Sequence, residues 1–218
     1  FCGARARAGL SAVRDAILVH GLWVPAAVMA PLAARLSADG FRCHLFSYFG
    51  RARPLAAHAE RLARYARGIG PAHFVGHSLG GLVTLEALER HRDVQAGRVV
   101  LLGTPVRGNF AGRRLGQRGW GRWFMGATQA LWSEGRAARW TRPEPLGVLA
   151  GTLPVGLGRL FGALPGPNDG VVRLEETGLE GMRERIVLRV GHSAMLLSAR
   201  VAGHIVAFLR HAQFSPPA

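Results

Sequence analysis

The segment that most narrows what this chain can fold into is Gly76-His77-Ser78-Leu79-Gly80-Gly81. It joins a short apolar run at residues 73–75 to a stretch of helical spacing, Leu79–Arg90. A strand that passes through Gly-His-Ser straight into a helix must reverse very tightly. Such a turn strains the backbone at Ser78 and lifts its hydroxyl clear of the sheet. Gly76 and Gly80 are expected because a side chain at either would collide with the adjoining helix or strand. The Leu79 N–H then lies at the start of a helix, where donors lack intrahelical partners and the dipole favours an anion.

The rest of the chain repeats this strand–helix order. Short apolar or alternating runs at 16–20, 41–48, 73–75, 99–102, 146–150 and 186–190 read as strands. Helical spacing covers 26–37, 55–67, 79–90 and 198–211, with Pro54 at one helix start and Gly68 past its end. The expected fold class is α/β, one domain over residues 1–218 with a mostly parallel central sheet covered by helices on both faces. In such sheets, sites collect at the carboxyl ends of the strands.

Composition removes several alternatives. The formal net charge is +15, and every one of the 28 basic side chains is Arg. A basic chain suits nucleic acid, anionic lipid or an acidic partner. Abundant Ala and Gly favour codon bias over function as the source of that overall charge. No zinc-finger, RNP or helix-turn-helix signature is present, so no nucleic-acid partner is expected. No apolar run approaches the roughly 20 residues of a membrane-spanning helix. Cys2 and Cys43, the two cysteines, sit in a terminal stretch and a strand, and a bridge between them is not expected. No H-E-x-x-H or Cys cluster occurs, and His73 and His77 straddle a strand and a turn, so no metal is expected. The chain opens on Phe1 without a complete signal-peptide pattern, which leaves the compartment open.

His20-Gly21-Leu22-Trp23 ends the first strand. Gly21 is expected to let the chain turn sharply and aim the Leu22 N–H at a substrate carbonyl oxygen. With the Leu79 N–H it would form a two-donor oxyanion hole. Trp23 and His77 are the substrate-side candidates, Trp23 as a pocket wall or packing residue and His77 packed behind the turn.

Together the stretches L-V-H-G-L-W, G-H-S-L-G-G, L-G-T-P, P-N-D-G-V-V and G-H-S-A-M resemble small bacterial α/β-hydrolase lipases and esterases, over roughly residues 17–209. The resemblance implies a central β-sheet, a Ser–Asp–His triad, and ester hydrolysis without a metal or organic cofactor. It also implies a short version of the sheet, lacking the first strands of full-length members.

The acid and base also follow from elimination, given the chain order Ser, acid, His. Of the four Asp residues, Asp15 and Asp39 precede Ser78, and Asp93 falls at the wrong end of the sheet. Asp169 remains, within Pro167-Asn168-Asp169-Gly170, itself an ordinary turn sequence. Glu175 and Glu176 stand in reserve. Of the later histidines, His204 and His211 fall on the last helix, whereas His192 directly follows a strand. Its Nε2 would accept the Ser78 proton while Asp169 holds Nδ1–H.

Residues 106–145 are expected to form a lid or cap, and 151–170 is Gly-rich. The first region carries Trp120, Trp123, Trp132 and Trp140 with eight Arg against two Glu. That mixture suits an anionic membrane surface or an ordinary helical cap. The expected activity is acyl transfer from a small-molecule or lipid ester with an apolar acyl group to water. An acyltransferase or thioesterase would use the same triad, and a binding module on this fold would not require all three residues. Oligomeric state is not read from the sequence.

Overall fold

The computed structural model describes residues 13–49, 53–110, 112, 139–155 and 164–214. Six strands form one sheet: β1 (Asp15–Val19), β2 (Arg42–Phe46), β3 (Ala72–His77), β4 (Ala96–Leu102), β5 (Leu146–Gly151) and β6 (Glu184–Leu188). Their order is β2-β1-β3-β4-β5-β6, and every pairing is parallel. Parallel pairing brings the carboxyl ends of all six to one edge.

Both faces of the sheet are buried, which explains the near-continuous apolar runs in its central strands. Ile17 and Val19 on β1, Val99 and Leu101 on β4, and Leu146 and Val148 on β5 pack under α2 (Leu55–Ile69) and α3 (Leu79–Arg90). Their alternate neighbours Ala16, Leu18, Val100, Leu102 and Leu149 pack under α1 (Ala30–Ala38) and α4 (Ala199–His211). The period-two split of side chains between two cores is the physical content of the α/β expectation.

Several boundaries differ from expectation for local reasons. The run expected as one helix over 26–37 is a 3-10 turn, Ala26–Met29, followed by α1. Pro31 lies in the first turn of α1, where its missing N–H costs nothing, but it cannot extend an α-helical ladder back to Ala27. Helix α2 continues through Gly68 and ends at Gly70, whose φ of 91° an L side chain would strain to adopt. β6 lies two residues earlier than the run at 186–190. As an edge strand it leaves Val187 exposed, so its apolar residues do not mark its register. Ser198 caps α4 by accepting the Val201 N–H at 3.3 Å.

Within the expected cap, the described parts belong to the main body. Trp140 is buried, its ring N–H donates to the Glu144 carbonyl at 2.7 Å, and its backbone N–H donates to Glu180 O at 2.8 Å. The buried Arg142 guanidinium donates to the carbonyls of Leu88, His91 and Val94 and pairs with Glu144. Trp120, Trp123 and Trp132 lie outside the described residues, as does Cys2. Cys43 is a half-buried free thiol on β2.

Candidate active site

The elbow is built by close approach. A Cβ on Gly76 would lie 2.6 Å from Gly81 Cα, and one on Gly80 would lie 2.2 Å from the Val19 carbonyl oxygen. Both positions therefore exclude any side chain, as the sequence pattern implies. Gly81 is as crowded, with Thr104 Oγ1 2.0 Å from the position of a Cβ. These contacts press the first turn of α3 onto β1 and β3 and hold Ser78 at φ 54°, ψ −123°. A non-glycine residue there costs on the order of 1–3 kcal/mol, and the surrounding packing has to impose it. The Ser78 N–H donates to Leu102 O on β4 at 2.9 Å.

The loop after β1 is fixed by a histidine and a tyrosine that pattern reading did not assign. His20 Nδ1–H donates to Gly21 O at 2.8 Å, and its Nε2 accepts the Tyr48 N–H at 3.3 Å. The Tyr48 hydroxyl donates to His20 O at 2.8 Å, and the two rings stack at 4.4 Å. Burial holds His20 below its ordinary pKa against the bond to Gly21, so it stays neutral and keeps this pattern. The Gly21 carbonyl and the Leu22 N–H share one planar peptide and point in opposite directions. Gripping the carbonyl therefore aims the N–H away from it.

The left-handed residue of this loop is Trp23, at φ 62°. At Gly21 a Cβ would sit 3.2 Å from Ser78 Cβ, closer than an ordinary contact, so glycine lets this loop lie near the elbow. Among the described residues neither the Leu22 nor the Leu79 N–H has a protein acceptor. Trp23 is 43% exposed beside them.

Asp169 and His192 meet after β5 and β6. His192 Nδ1–H donates to Asp169 Oδ2 at 2.8 Å; a carboxylate only accepts, so this fixes the tautomer and leaves Nε2 as a base. The other oxygen, Oδ1, accepts the N–H groups of Val171 at 2.9 Å and Val172 at 2.7 Å. The His192 N–H donates to the Asp169 carbonyl at 2.8 Å, so the two loops are also joined by backbone. Asp169 is 1% exposed.

The pair rests on Gly103, at φ 51° directly after β4. A Cβ there would lie 2.9 Å from Asp169 Oδ2 and 3.0 Å from His192 Nδ1. Ser78, bonded to Leu102, and His192, lying on Gly103, thus flank one corner. No hydrogen bond joins the Ser78 hydroxyl to His192 among the described residues; such bonds are often long without substrate. His77, the residue before Ser78, is buried against His192. Its ring lies 4.6 Å from the His192 ring, and its Nε2–H donates to His192 O at 3.1 Å. Burial, with the adjacent His192, pushes His77 down to about 3, so its ring is neutral.

The remaining candidates are occupied elsewhere. Asp93 pairs with Arg67 at 2.6 Å on the exposed, opposite end of the molecule. Glu175 is exposed and pairs with Arg173, and the buried Glu176 carboxylate accepts N–H groups of Phe110, Arg173 and Asn109. His73 Nδ1 accepts the Arg98 N–H and its Nε2–H donates to Val13 O, a structural role.

With this arrangement in view, the family model for the alpha/beta hydrolase family matches residues 16–214. The chain belongs to the alpha/beta hydrolase family. Among solved structures, this alpha/beta hydrolase is similar to the mature form of a Bacillus licheniformis lipase, BlEst2. The TM-score is 0.74 at 19% identity, covering 93% of each chain. A thermophilic esterase from Thermogutta terrifontis superposes with a TM-score of 0.62 at 18% identity, over 91% of this chain and 90% of that one. A pyrethroid hydrolase from Sphingobium faniae JZ-2 gives 0.59 at 15% identity, over 92% and 98%. These likenesses concern the fold. No curated protein sequence matches the chain significantly.

Proposed function

We propose that this alpha/beta hydrolase cleaves carboxylic esters with an apolar acyl group, through an acyl-enzyme on Ser78. The observation that carries the reading is the Asp169–His192 hydrogen bond seated on Gly103, at the corner where the strained Ser78 sits.

In the first step Ser78 Oγ bonds to the carbonyl carbon as His192 Nε2 takes the hydroxyl proton. Asp169 keeps the imidazolium oriented and does not itself take the proton. The negative charge that develops on the carbonyl oxygen meets the Leu22 and Leu79 N–H groups, one such donor being worth about 3–4 kcal/mol in the transition state. Collapse breaks the bond to the alcohol, which leaves with the proton from His192. Water repeats the sequence on the acyl-serine and releases the acid. Trp23, exposed beside Leu22, supplies apolar surface at the mouth, while His77, buried against His192, acts by packing rather than by touching substrate. The lipase and esterase neighbours add weight to this reading.

The test is turnover of a p-nitrophenyl ester series by the wild type and Ser78→Ala. The reading expects hydrolysis in the wild type and a loss of roughly four orders of magnitude or more in the variant, because triad members act as a unit. A folded Ser78→Ala protein that still turns over would end it.

A further inference from the structure

Asp169 Oδ1 is held by two N–H groups, and the orientation of one is set from outside the proposed triad. The Val172 N–H, at 2.7 Å from Oδ1, shares a peptide plane with the Val171 carbonyl. That carbonyl accepts Asn109 Nδ2–H at 3.1 Å. Fixing one end of a planar peptide fixes the direction of the other, so the Asn109 amide aims the Val172 N–H at the acid.

Asn109 is held in turn. Its Nδ2 also donates to Glu176 Oε2 at 3.4 Å, and its Oδ1 accepts the Gly112 N–H at 2.6 Å, which settles the amide's orientation. Glu176 is 3% exposed. Its Oε1 accepts the Phe110 N–H at 2.6 Å and Arg173 Nε–H at 3.2 Å, and its Oε2 accepts the Arg173 N–H at 2.9 Å. The Arg173 guanidinium also lies 4.8 Å over the Phe110 ring. One buried carboxylate thus ties the segment after β4 to the far side of the Asp169 loop. Charged acceptors make hydrogen bonds about twice as strong as neutral ones.

We propose that Glu176 and Asn109 are positioning residues for Asp169, fixing the Val171–Val172 peptide whose N–H orients the acid against His192. The inference rests on the triad reading above, but it has a readout of its own. Asp169 is required in the chemical step and not for holding substrate. Loosening it therefore lowers kcat and leaves KM in place.

The experiment compares wild type, Glu176→Gln and Asn109→Ala. Glu176→Gln keeps size and places an amide N–H₂ among N–H donors; Asn109→Ala removes the grip on Val171 directly. Each is expected to lose roughly tenfold or more in kcat at unchanged KM, as small displacements of catalytic groups do. The low-field proton resonance of His192 Nδ1–H is expected to shift or broaden in both. If Glu176→Gln does not fold, Asn109→Ala decides alone. Folded variants with wild-type kcat and an unmoved resonance overturn the proposal, however much their melting temperatures fall. Ser78→Ala separates the two claims: turnover surviving there removes the triad reading, whereas turnover lost there but intact in both positioning variants removes only this one.

Discussion

Replacing Gly103 with Ala tests the corner where Asp169 and His192 lie over the residue that follows Leu102, the acceptor of the Ser78 N–H. An ideal Cβ would stand 2.9 Å from Asp169 Oδ2, 3.0 Å from His192 Nδ1 and 3.2 Å from His192 Cε1. Those distances fall up to about half an ångström short of ordinary contact, so the hydrogen-bonded pair has to move by about that much. A misplacement of about 1 Å can cost a hundredfold, so the expected loss in kcat is roughly tenfold at nearly constant KM. The new residue must also adopt a φ of 51°, which costs about 1–2 kcal/mol of stability. Gly40→Ala isolates that backbone cost: Gly40 sits at φ 89° and a Cβ there would meet nothing within 4 Å. The assay is initial rates on a p-nitrophenyl ester, normalised by active-site titration, with melting curves for both variants. Gly103→Ala should lose at least as much stability as Gly40→Ala, the excess reporting the displaced pair, and only Gly103→Ala should lose kcat. Equal and wild-type kcat in both would refute the reasoning, because the acid–base pair would then tolerate displacement without consequence.

Removing the Tyr48 hydroxyl with Tyr48→Phe leaves the buried end of β1 without its donor to His20 O. Calorimetry should register a loss of about 1–3 kcal/mol, with a several-fold drop in kcat as the Leu22 N–H loses its alignment; no change in either quantity contradicts the clamp. Acid should destabilise the fold through its buried neutral histidines. Burial holds His73 down to about 4 and His77 to about 3, against 6.5 when unfolded. Between pH 6.5 and about 4 the unfolded chain therefore binds more protons, and stability falls as pH falls, by up to about 1.4 kcal/mol per pH unit for each histidine. Urea midpoints across that window check it, and a midpoint that holds level down to pH 4 opposes it.

The sequence carried the parts of this molecule whose determinants are local. Strand, elbow and helix around Ser78 are written in consecutive residues, and the collisions at Gly76 and Gly80 are the reason the pattern is spelled as it is. Asp169 and His192, the proposed acid and base, came from elimination: chain order sets aside Asp15 and Asp39, the end of the sheet sets aside Asp93, and the last helix sets aside His204 and His211. Their hydrogen bond, between residues 23 apart, needed coordinates. Pairings over long separations left no comparable trace. The grip of Tyr48 on His20 spans 28 residues and that of Glu176 on Asn109 spans 67, and nothing in either local sequence marks the partner. Gly103 did leave a signal, a glycine immediately after a strand in Leu-Gly-Thr-Pro, but only the acid–base pair lying over it explains why a side chain is excluded. The left-handed residue of the loop after β1 is Trp23, two residues beyond Gly21, and nothing in the local sequence marks it.

The most direct test of the central claim is to treat the protein with a fluorophosphonate and map the modified peptide by mass spectrometry. The account predicts a single stoichiometric adduct on Ser78, absent from Ser78→Ala and slowed in His192→Ala. An adduct on any other residue, or an unlabelled protein that still hydrolyses esters, would contradict it.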